Sequence, residues 1–134
     1  MSLGYKLRDA FTTSHAENYR NHYKTLKNDL SKCINEIDST LSQLKDDRSS
    51  FYNYLLARSV YDSTTGKLVD HLSDKGQEAE RKLQELIDYW DDMLSQLKTK
   101  YQVALTRYNN LVSLCLEEDN REEEFTESEV KRRM

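Results

Sequence analysis

The sequence predicts an all-α fold, a long antiparallel helical hairpin of coiled-coil type. Apolar residues recur with helical period over two long stretches, from about Tyr19 to Leu55 and from about Leu83 to Cys115. The residues that favour turns are concentrated between them, from Tyr61 to Gly76. The chain has no proline and three glycines, which does not suit a fold with many tight turns. The expected layout is an N-terminal lead-in at 1–14, a hairpin at 15–118 and an acidic tail at 119–134. Within the hairpin, one helix should cover about 15–60, a connector about 61–75 and a second helix about 76–118.

In the lead-in, Tyr5, Leu7 and Phe11 have loosely helical spacing and suit a short helix or an extension of the next one. Ser14-His15-Ala16-Glu17 has the form of a capping box, with the Ser hydroxyl accepting from an early helical N–H and Glu reaching back. The first long helix should therefore start near His15. Along it Tyr23, Leu30, Ile37, Leu44 and Phe51 are spaced by seven. The flanking line shifts from Leu26 and Cys33 to Ile34, Leu41 and Leu55, so the buried face rotates. The stretch Asp46-Asp47-Arg48-Ser49-Ser50 has no apolar residue and needs packing from its partner.

In the connector, Asp62 to Gly66 and Ser73 to Gln77 both read as helix stop or start signals, enclosing a short helix through Leu72. A continuous helix from Lys67 is the alternative, tolerating Gly76 at a cost of about 1 kcal/mol. The second helix has the cleaner pattern. Leu83, Trp90, Leu97, Ala104 and Leu111 form one heptad line, and Ile87, Leu94, Tyr101, Tyr108 and Cys115 the other. Leu86, Met93, Leu105, Val112 and Leu114 lie beside this seam, which is wider than a two-stranded coiled coil requires. After Leu116 the pattern stops. Phe125 and Val130 stand isolated among acids, so the tail should be a frayed extension or disordered.

Helices of this length are roughly 65 Å long at 1.5 Å per residue. Antiparallel pairing then brings together residues whose numbers add to about 136, with Phe51 near Glu85–Leu86 and Trp90 near the polar gap at 46–50. Cys33 and Cys115 are out of register for a disulfide, which needs Cα atoms within about 7 Å.

Net charge is −4, and its location matters more than its size. Of the 24 acids and 20 bases, eight acids and four bases lie at or beyond Glu117, leaving 16 of each sign in residues 1–116. No one-sided basic field exists for phosphates, so nucleic acid is not an expected partner, and membrane binding is not expected either. No run approaches the roughly 20 apolar residues of a membrane span, and the start lacks the pattern of a signal peptide. Two cysteines make no disulfide framework, and the expected location is cytoplasmic.

No catalytic, cofactor-binding or metal residues are expected. Ser63 to Lys67 lacks the spacing of a phosphate loop and follows no strand pattern. His15 and His22 are seven apart, too far for a one-turn chelate, and His71 lies in the connector. The carboxylate pairs Asp46-Asp47 and Asp91-Asp92 read as solvated helix surface, and no Glu-x-x-His motif is present.

The expected function is that of a non-enzymatic interaction or scaffold module. Its wide stripe would bind a second copy, dimerising into a four-helix bundle, or bind another helical protein. The candidate partner-binding residues are Leu86, Trp90, Met93, Leu97, Tyr101, Leu105, Tyr108 and Val112. The nine tyrosines suit such a surface, because Tyr is enriched at interface hot spots. In silhouette the chain is similar to the small helical-hairpin proteins of bacterial secretion and flagellar export, and to eukaryotic coiled-coil adaptors. That architectural likeness implies an alternative role as a secretion-associated chaperone or an exported hairpin substrate.

Overall fold

Ser14 starts the first helix as its spacing to Glu17 predicts. Its hydroxyl accepts the Glu17 N–H at 3.2 Å, and its carbonyl accepts the Asn18 N–H at 2.9 Å. Helix α1 then runs His15–Tyr61, α2 runs Gly66–Arg121 and α3 runs Glu127–Arg133. The computed structural model describes residues 12–61 and 66–134, with side chains except at 56–61 and 66–73. Among the described residues there is no strand, and no helix is long and apolar enough to cross a membrane. Residues 1–11 of the expected lead-in at 1–14 and residues 62–65 of the expected connector at 61–75 lie outside the described residues.

The two long helices pack against each other. They contribute to two compact units, one made of residues up to Lys32 with Leu97–Met134, the other of Cys33–Gln96.

In the unit 33–96, Lys45 meets Asp91 at 3.5 Å, Arg48 meets Glu80 at 3.2 Å, and Leu55 lies against Gly76. Residue numbers fall on one helix as they rise on the other, so the pairing is antiparallel and close to the expected register. The core is Leu41, Ile87 and Leu94, with Ile34, Ile37, Leu44, Leu83 and Trp90 packed around it. In the polar stretch at 46–50 the half-buried Arg48 turns inward. Its Nε is buried without a hydrogen-bond partner, while its Nη2 reaches Glu80.

Helix α2 starts ten residues before the expected 76 and follows the alternative of a continuous helix from Lys67, so no separate helix or second cap intervenes. The reason is visible at Gly76. A Cβ there would lie 2.7 and 2.9 Å from the two Cδ atoms of Leu55, so the missing side chain is the seat of Leu55. Glycine at this position permits close helix approach, which offsets its poor helix propensity.

In the other unit, Tyr23 accepts a hydrogen bond from Arg107 Nη1 at 2.8 Å, and Lys27 Nζ sits 4.9 Å from the Tyr108 ring centre. These pairs also run antiparallel. The core is Ala16, Leu111, Leu114, Cys115, Phe125 and Val130, with Tyr19, Tyr23 and Met134 against it. Burial pushes the Cys115 thiol up to about 11, against the pull of Arg20. Both cysteines are free thiols. Leu26 departs from the expected stripe and is exposed.

The tail corrects the sequence expectation of a frayed or disordered extension. Glu122 adopts a left-handed φ of 53°, and the Glu123 N–H reaches back to the Glu118 carbonyl at 3.2 Å, closing α2 with the bond of a Schellman turn. The chain reverses and Phe125 enters the core. Thr126 then caps α3, its Oγ1 accepting the Glu129 N–H at 3.2 Å. Acids lie in the first turn of α3 and Lys131, Arg132 and Arg133 in its last, the order that the helix dipole favours.

Glu118, 1 % exposed, ties the tail to both long helices. Its Oε1 accepts the Ser14 hydroxyl at 2.8 Å and its Oε2 accepts the Phe125 N–H at 2.9 Å. Arg121 and Arg133 stand over the Phe125 ring at 4.7 and 5.1 Å, and Arg133 pairs with Glu117 at 2.9 Å. Tyr19 donates to Glu127 at 3.0 Å. That bond, with Lys131, holds the Glu127 carboxyl below the usual range, and Arg132 does the same for Glu129.

Candidate protein-interaction surface

The candidate surface lies in the unit 33–96 and begins with a surplus of exposed apolar side chains. Leu86 is 43 % exposed, Tyr89 58 % and Tyr54 58 %. Beside Leu86 runs an open apolar groove of about 450 Å³, lined by Phe51, Ala79, Lys82, Leu83 and Leu86. Phe51 and Leu86 line the same groove, in keeping with the antiparallel register. Tyr54, one turn beyond Phe51, lies on the same flank of α1 by helical spacing.

The α2 side of the groove has a pattern of its own. Ala79, Lys82, Leu86, Tyr89, Met93 and Gln96 follow one another at alternating steps of three and four. These positions form one face of α2 beside the inner seam of Leu83, Ile87, Trp90 and Leu94, with Leu86, Tyr89 and Met93 as its large apolar members. Met93 is half-buried, and the other five are exposed. Tyr89 stands edge-on against Trp90, with ring centres 5.4 Å apart and planes at 83°. Trp90 packs on the Leu41–Ile87–Leu94 cluster, so the exposed ring is braced from below.

Charges around the strip are paired along the helix surface. Lys82 pairs with Glu78 at 3.4 Å and Arg81 with Glu85 at 2.7 Å, both at i,i+4. Such exposed pairs contribute about 0.3–0.5 kcal/mol each and leave Lys82 free to reorient.

No protein-family model, curated protein or solved structure matches this chain.

The eight residues singled out from the sequence fall in both units. Leu86, Trp90 and Met93 belong to the unit 33–96, and Leu97, Tyr101, Leu105, Tyr108 and Val112 to the other. Only Leu86 is exposed; the other seven are half-buried. Trp90 supports the inner core, and Tyr108 lies beneath Lys27. Sequence reasoning missed Phe51, Tyr54, Ala79, Lys82 and Tyr89 as members of one surface. The three-four stepping from Ala79 to Gln96 was the available signal, masked by Lys82 and Ala79 standing where an apolar count expects larger side chains.

Proposed function

We propose that this chain is a non-enzymatic helical interaction module, binding protein through the apolar face of α2 beside the Phe51 groove in the unit 33–96. The observation that carries this reading is the strip of Leu86 and Tyr89 exposed beside the Phe51 groove. Contiguous exposed apolar surface is costly in water and marks binding surface. An apolar face running along a helix suits a helix as the ligand, because a helix can lay its own apolar face against it. The groove is open, so it suits packing and is poorly shaped to shut water out of a reaction. A cytoplasmic setting belongs to the same reading, since two cysteines make no disulfide framework.

The test compares wild type with Leu86→Asp, folding of both being checked by circular dichroism. Each is immobilised and offered the wild-type chain and a native lysate. An interaction module loses in the variant what it bound in the wild type. If wild type captures nothing that Leu86→Asp fails to capture, from either source, the proposal is wrong.

A further inference from the structure

We draw no further inference here: the strongest candidate, the exposed apolar face of α2 at Leu86 and Tyr89 beside the Phe51 groove, carries nothing beyond the proposed function because nothing in the structure shows what covers it.

Discussion

Replacing Glu118 by alanine should release the tail while leaving the long helices folded. The carboxylate is buried and accepts two hydrogen bonds, from the Ser14 hydroxyl at 2.8 Å and the Phe125 N–H at 2.9 Å. Hydrogen bonds to a charged group contribute about 1.5–3 kcal/mol each, and the desolvation of the carboxylate offsets part of that, so the net loss should be about 2–4 kcal/mol. The tail can open without global unfolding, so the loss appears locally and is capped by the free energy of tail docking. Amide hydrogen exchange reads it directly. At about 1.4 kcal/mol per factor of ten, protection of the Phe125 and Val130 amides should fall roughly 30- to 700-fold. Amides in the middle of α2 should be unaffected. Glu118→Gln should cost about tenfold or less, because its oxygen still accepts from Phe125 and its amide can donate to Ser14, as neutral bonds of about half the strength. Protection unchanged within about threefold in Glu118→Ala would show that apolar packing alone holds the tail, and the reasoning would fail.

Three further outcomes follow from the same contacts. Gly76→Ala should change stability by less than about 1 kcal/mol, because the gain in helix propensity offsets the displacement of Leu55, while Gly76→Leu should lose about 1–3 kcal/mol by overpacking. Urea denaturation of both variants checks this. Cys115 should resist thiol reagents at neutral pH in the native chain, seen by mass spectrometry. Its proton is held more tightly folded than unfolded, so stability should be intact below the ordinary thiol value of 9.0 and decline as the pH rises from there to about 11. Cys115→Ala should remove that slope. The depressed carboxyls of Glu127 and Glu129 act in the opposite direction: their stabilisation is present above the ordinary glutamate range and is lost as the pH falls through their lowered values. The Val130 methyl resonances should shift toward an undocked position over that acidic range, and Glu127→Gln should blunt the change.

The parts of the fold legible in the sequence are those set by short-range repetition. Ser14 with Glu17 located the start of α1, and the inner heptad lines of α2 are buried or half-buried along their whole length. The approximate register was legible, Lys45 meeting Asp91 on the expected sum, because two helices of similar length are joined by a short connection. Two features were lost because one residue type has two physical uses. Gly76 reads as a stop but serves as a seat for Leu55, a difference only the neighbouring helix reveals. Phe125 and Val130 read as stray apolar residues because the segment carrying them is acidic. Thr126 followed three residues on by Glu129 and then Val130 is nevertheless a capping signature, and giving it weight would have located α3. The reversal at Glu122 has no glycine to announce it. The face of Leu86, Tyr89 and Met93 was legible only in part, through Leu86 and Met93, since exposure alone separates a binding strip from a wide core.

The two units treat their apolar surplus differently, and this makes a last prediction possible. In the unit that includes α3, Phe125 and Val130 cover Ala16, Leu111, Leu114 and Cys115. The large apolar side chains still exposed there among the described residues are Leu26, Val103 and Leu116. In the unit 33–96, exposed Leu86 and Tyr89 share one face of α2 beside the groove. A chain ending at Arg121 should therefore gain a second sticky surface, raising dye binding to exposed apolar area and producing association that Leu86→Asp does not prevent. In the full chain the same Leu86→Asp substitution should remove association altogether. If the shortened chain instead becomes monomeric with Leu86→Asp, the tail covers nothing that matters for solubility. A single docking strip would then account for all the association this chain shows.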